Sequence, residues 1–220
     1  LTGSELVLAG KDIHWKRLSG NLNGQTFTVR GRDGSYKLHT PLLGDHQMEN
    51  ASLAVAAAEV LRQRGASVTS NHIVRGLGKV KWPARLQVLK QAPLLIIDGA
   101  HNVYSMKALV ESVRRYIPYK KLYVIFGSSG DKDIDGMAGV LAGITGNLIV
   151  TSSGHPRAAA ADQLAQVFRQ HGISADVQPN VREALSATLT ASDNNDLILA
   201  TGSLFLAAEI GRAFKESNFR

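Results

Sequence analysis

Five consecutive residues, Asp98-Gly99-Ala100-His101-Asn102, set a carboxylate, an imidazole and a carboxamide directly behind the apolar run at 94–97. Such a run has the length and composition of a buried strand, and the small and polar residues after it read as a loop that opens a helix. Parallel α/β sheets hold their ligands at the carboxyl ends of strands, where a helix N-terminus favours negative charge. Taken alone, the pentad also fits a helix cap beside a turn histidine. Its neighbours turn the reading toward phosphate chemistry.

Five more stretches fall at predicted loops or helix starts: GDHQMEN at 44–50, WPAR at 82–85, GSSGDKD at 127–133, GHPR at 154–157 and TGS at 201–203. They supply carboxamides that both donate and accept, an arginine fork suited to paired anionic oxygens, and further cations. Each has a plainer alternative. Asn50 and Ser203 are good helix caps, and Arg85, Lys132, His155 and Arg157 are side chains commonly left in solvent.

The elements that must position these groups follow from periodicity. Residues 1–41 hold short alternating runs, 26–29 and 36–39 among them, that read as antiparallel strands or hairpins, and 5–9 is strand-like too. Asn50 begins a strong alanine-rich helix that Gly65 ends, and a shorter helix covers 70–77. Trp82-Pro83 marks a boundary near residue 80. Beyond it, strands near 85–90, 94–97, 122–126, 147–151, 174–178 and 196–200 alternate with helices near 103–116, 133–143, 159–171, 180–190 and 203–215. The first two strands are too close for a crossover and must form a hairpin. The fold class is therefore α/β: a Rossmann-like, mostly parallel, doubly wound sheet with one antiparallel strand.

Composition narrows the partners. With 25 Lys and Arg against 18 Asp and Glu, the charge is +7, which calls for an anionic partner. The basic residues form no long stripe, so a small anion is expected rather than nucleic acid. The absence of cysteine excludes disulfides, thiolate metal sites and a cysteine nucleophile. With no membrane-length apolar run and no signal peptide pattern, a cytoplasmic location away from membranes is expected.

The order and spacing of HQMEN, WPAR, DGAHN, GSSGDKD, GHPR and TGSLFL closely resemble the C-terminal half of folylpolyglutamate synthase and its bifunctional dihydrofolate synthase form, in the Mur ligase superfamily. The resemblance runs from about residue 42 to 206. It implies that residues 1–80 are the C-terminal remnant of a central ATPase domain, a β-hairpin plus helix, and 81–220 the Mur ligase C-terminal domain. It implies an ATP-dependent amide ligase that activates a pteroate or folate carboxylate as an acyl phosphate, which the amine of L-glutamate then attacks. ATP, Mg2+, L-glutamate and dihydropteroate or a reduced folate are the implied ligands.

Residue by residue, the resemblance sets Asn50 on adenine, with His46 and Gln47 beside it. Arg85 faces the phosphates, and Asp98 and His101 approach ribose and phosphate; Arg85 and His101 are the expected catalytic pair. Lys132, His155, Arg157 and Ser203 become candidate contacts to the substrate, and no metal ligand is assigned. Two positions depart from the family's pattern: Ala84 stands for a glycine and Val103 for a proline.

No GxxxxGK[ST] occurs, since Gly10-Lys11 and Gly78-Lys79 lack the upstream glycine. The chain also starts at Leu1, without Met, in strand-like sequence. The expectation is a piece of a longer enzyme, lacking the P-loop domain and inactive alone. Two alternatives stay open: a Mur ligase of peptidoglycan synthesis, and a noncatalytic module that binds nucleotides or other anions.

Overall fold

The computed structural model describes residues 6–216. They form two compact units: residues 6–82 with Arg115–Ile117, and Pro83–Arg114 with residues 118–216.

In the first unit, β1 (His14–Asn21), β2 (Gly24–Arg30) and β3 (Ser35–Thr40) make an antiparallel meander in that order. The inward side chains of β2 and β3, Phe27, Val29, Tyr36 and Leu38, alternate with outward ones, as the pleat requires. They pack on α1 (Asp45–Gln63) through Met48, Ala51, Val55 and Ala56, and Ile73 of α2 (Ser70–Gly78) joins the same core.

Three expectations need correction here. Strand β1 was not foreseen: its sequence, HWKRLSGN, has no apolar alternation because nearly all of its side chains are exposed. The run at 5–9 is not a strand over Leu6–Leu8, and Ala9 forms only an isolated bridge with Ile13; Glu5 lies outside the described residues. Helix α1 starts at Asp45, five positions before Asn50. Gly44 supplies the turn into it with φ 105°, a left-handed conformation open to glycine, so Asn50 is a helix-interior residue and not the cap.

The second unit is built on six strands: β4 (Gln87–Gln91), β5 (Leu94–Ile97), β6 (Leu122–Phe126), β7 (Asn147–Thr151), β8 (Ala175–Gln178) and β9 (Leu197–Thr201). Their order is β4-β5-β9-β6-β7-β8, and every pairing is parallel except the β4–β5 hairpin. The crossovers through α3 (Val103–Tyr116), α4 (Ile134–Ala142) and α5 (Ala161–Gln170) all advance toward β8, whereas α6 (Val181–Ala191) returns the chain to β9 and α7 (Leu204–Glu216) follows it. Right-handed crossovers in opposite directions cover opposite faces.

Accordingly, Leu95, Ile97, Tyr123, Ile125, Ile149, Ile198 and Ala200 meet α6 and α7, while on the other face Phe126 meets Phe168 of α5 edge-on at 5.0 Å. The α/β class, the hairpin and the doubly wound sheet stand as read from the sequence. Among the described residues, no helix is long and apolar enough to cross a membrane.

Candidate active site

Residues after β5, β9, β6 and β7 form one rim along the C-terminal edge of the second unit's sheet. Backbone bonds join neighbouring loops: Gly202 N–H donates to Ala100 O (3.0 Å), Gly127 N–H to Thr201 O (3.3 Å) and Gly130 N–H to Arg157 O (2.9 Å). Gly202 has φ 106°, and a Cβ there would lie 2.6 Å from Gly127 O, so this closeness of loops needs glycine.

Asp98 stands at the centre of the first loop and is 6% exposed. Its Oδ2 accepts the N–H of Leu86 at 2.9 Å and its Oδ1 the N–H of Ala100 at 2.8 Å. Burial pushes its carboxyl above the ordinary range; the two backbone bonds, then the charges of Arg85 and His101, pull the other way.

Arg85 is half-buried between Ala84 and Leu86, whose φ angles are 55° and 43°. Left-handed backbone costs a residue with a Cβ roughly 1–2 kcal/mol, and outliers of this kind cluster at functional sites. The turn is held on three sides: by Leu86 N–H on Asp98, by Ala84 N–H on Gln87 Oε1 (3.0 Å) and by Gly99 N–H on Ala84 O (2.8 Å). Both flanking side chains turn inward, each 6% exposed.

His101 places Nδ1 2.9 Å from Gly99 O. A carbonyl only accepts, so Nδ1 carries the proton and Nε2 is left to meet a ligand. Asn102 caps α3: its Oδ1 accepts the N–H of Ser105 at 2.8 Å. Thus the turn that carries Arg85 is hydrogen-bonded through Ala84 and Leu86 to the loop that carries Asp98 and His101.

The loops after β6 and β7 form a second group. Lys132 Nζ lies 3.2 Å from Asp131 Oδ2 and lowers that carboxyl's pKa, Arg157 adding a smaller effect. The His155 ring stacks on Phe205 at 3.7 Å, and Gly154 N–H donates to Glu209 (3.0 and 3.2 Å). Arg157 is exposed. Ser203 is buried, and its Oγ accepts the N–H of Phe205 at 3.1 Å, so it caps α7. Phe205, Glu209 and Gln87 are contributors that the motifs did not single out; the only signal was the aromatic inside TGSLFL.

In the first unit, His46, Gln47 and Asn50 share the first turns of α1. Gln47 Nε2 donates to His46 Nε2 (3.0 Å), and Asn50 Nδ2 lies 3.4 Å from Gln47 Oε1, with Asn50 itself exposed.

For magnesium, no group of three or more His, Cys, Asp and Glu suited to a metal exists among the described residues. The rim carboxylates are engaged: Asp98 by two N–H groups, Asp131 by Lys132, and Asp133 by Gly136 N–H as the cap of α4. No residue of the rim is assigned to the ion.

Residues 84–204 match the Mur ligase family's glutamate ligase domain. The chain is 37% identical over 184 residues to a probable bifunctional folylpolyglutamate synthase/dihydropteroate synthase of Halobacterium salinarum, covering 83% of this chain and 22% of that protein. It is 31% identical over 212 residues to the folylpolyglutamate synthase of Lacticaseibacillus casei, covering 95% and 48%. The solved folylpolyglutamate synthase of Mycobacterium tuberculosis complexed with ADP matches with a TM-score of 0.85 at 26% identity, over 94% of this chain and 48% of that one. The chain therefore spans about half the length, or less, of these relatives. With its rim of strand-end loops and its match over 84–204, the chain belongs to the Mur ligase family and carries that family's glutamate ligase domain.

Proposed function

We propose that this chain serves an ATP-dependent folylpolyglutamate/dihydrofolate synthase, in which L-glutamate is joined to the carboxylate of a pteroate or folate. The carboxylate takes the γ-phosphoryl group of ATP, giving an acyl phosphate and ADP. The glutamate amine then attacks the acyl carbon, forming the amide, releasing phosphate and losing a proton.

The observation that carries this reading is the grouping on the strand-end rim of Arg85, whose turn Asp98 holds through Leu86 N–H, and His101, whose ring is held by Gly99 O. A guanidinium on a held turn suits the charge that develops on a transferring phosphoryl group, and His101, whose Nδ1–H is spent on Gly99 O, adds a second donor there from Nε2 in its imidazolium form. Asn50, with His46 and Gln47, offers donor and acceptor atoms to adenine, a role favoured now that Asn50 does not cap α1. Lys132 and Arg157 offer positive charge to the glutamate carboxylates; His155, whose Nδ1 accepts the N–H of Arg157, has Nε2–H to donate; and the Ser203 hydroxyl, which accepts from Phe205, retains its own proton to donate. Mg2+, when bound, would neutralise the ATP phosphates.

No GxxxxGK[ST] is present in these 220 residues, so turnover is expected only where a P-loop domain completes the site. The test is glutamate-dependent ADP release by the intact enzyme with pteroate, folate or a nucleotide-linked muramoyl peptide as acceptor. Turnover with a pteroate or folate, reduced about 100-fold or more in Arg85→Ala, is the expected result. Turnover with the muramoyl acceptor alone would move the protein to peptidoglycan synthesis, and nucleotide binding without turnover would leave a binding module.

A further inference from the structure

We infer that Asp98 is a positioning residue that sets the direction of Arg85, acting through the backbone of Leu86 rather than through the ligand alone. The inference rests on the proposed role of Arg85 at the phosphates.

Three observations carry it. First, the two carboxylate oxygens accept backbone N–H groups from separate segments, Leu86 on one side, twelve residues before Asp98, and Ala100 on the other, two residues after it. Second, Arg85 sits between two left-handed residues that are not glycine, a conformation that persists only when the surroundings over-determine it. Asp98 supplies one of the three bonds that do so. Third, Asp98 is itself fixed, because its N–H donates to Ala200 O of the central strand β9 at 2.9 Å. The order of the sheet is thus passed from β9 through one carboxylate to the turn that aims Arg85.

The choice of side chain fits the task. Two converging N–H donors need a group that only accepts, and an ionised carboxylate meets that need at both oxygens. An asparagine would turn an NH2 group against one of the two donors. Retaining a buried charge to hold two backbone groups makes physical sense where the geometry of that turn matters.

The test compares ADP with inorganic tripolyphosphate, which has no ribose, by calorimetry on the full-length protein. Asp98→Asn is expected to weaken tripolyphosphate and ADP alike, by about tenfold or more, as Arg85→Ala does. The double variant should be little weaker than either single one. If Asp98→Asn weakens ADP but leaves tripolyphosphate unchanged, Asp98 touches only ribose and the inference falls while the Arg85 reading stands. If Arg85→Ala leaves tripolyphosphate unchanged, the Arg85 reading itself fails.

Gln87 gives an independent handle should Asp98→Asn not fold. Gln87→Leu removes the acceptor of Ala84 N–H and is expected to weaken tripolyphosphate several-fold, whereas Gln87→Glu, which keeps an acceptor, restores binding. Unchanged binding in Gln87→Leu would overturn the view that this turn must be held.

Discussion

His155 and Phe205 lie face to face, their ring centroids 3.7 Å apart and their planes 17° from parallel, so the loop after β7 rests on the first turn of α7. Glu209, one turn further along α7, accepts Gly154 N–H with both oxygens. Removing the ring by Phe205→Ala is expected to cost about 0.5–1.5 kcal/mol beyond the lost area and to loosen residues 152–157. Hydrogen exchange of those amides is the measurement. Faster exchange in Phe205→Ala and near-normal exchange in Phe205→Tyr are expected, and equal exchange in all three would show that the stack does not hold the loop.

Glu59 is 2% exposed, on the buried face of α1 that also carries Met48, Ala51, Val55 and Ala56. It accepts the N–H groups of Arg32 and Asp33 (3.0 and 3.2 Å) and the hydroxyl of Tyr36 (2.8 Å), tying the β2–β3 turn to α1. Glu59→Ala leaves those donors without this acceptor, an expected loss of at least ~2 kcal/mol. Urea unfolding followed by a probe in the first unit checks this, with Glu59→Gln expected between the two.

On the same turn, Asp33 accepts from Arg62 (3.0 Å) and Gln63 (2.9 Å), and these bonds hold its carboxyl below 3.8. The native state therefore binds the proton less readily than the unfolded chain. The stabilisation is complete above pH 3.8 and fades as pH falls through the lowered native value. Wild type should be more stable than Asp33→Asn at pH 6, and the gap should close progressively on acidification below pH 3.8. A gap that does not vary with pH would rule out this ionic origin.

Ala84 carries φ 55° with its methyl group buried. Ala84→Gly relieves the backbone strain but loses the methyl contact and gains unfolded-state freedom, so the net change is expected within about 1 kcal/mol. Ala84→Val sets a β-branched side chain in the left-handed region and is expected to cost about 2 kcal/mol or more. Thermal unfolding of the two variants separates strain from packing.

The second unit was largely legible because its strands are continuous apolar runs bounded by turn residues, and because the short gap from Gln91 to Leu94 admits only a hairpin. Strand β1 was not, since charged and exposed side chains give no period, and the start of α1 was misplaced because Asn50 is as good a cap as it is an interior residue. At the candidate site, the motifs singled out Arg85, Asp98 and His101, which the fold sets on bonded neighbouring segments. They could not show what Asp98 does: its partners are backbone groups, and positive φ at Ala84 and Leu86 leaves no mark in residue type. Phe205 and Glu209 were hidden for a related reason, because their partners belong to a loop 50 and 55 residues earlier in the chain, a register only the folded sheet creates.

Strand β9 lies between β5 and β6, so residues 94–97, already paired with β4, and 122–126, already paired with β7, gain their shared second neighbour only when residues 197–201 arrive. During synthesis at about 5–20 residues per second, the nascent hairpin and the β6–β8 layer must therefore wait several seconds with their inner edges unpaired. A ribosome that stalls before the codon for Leu197 therefore leaves two open sheet edges as templates for a neighbouring chain.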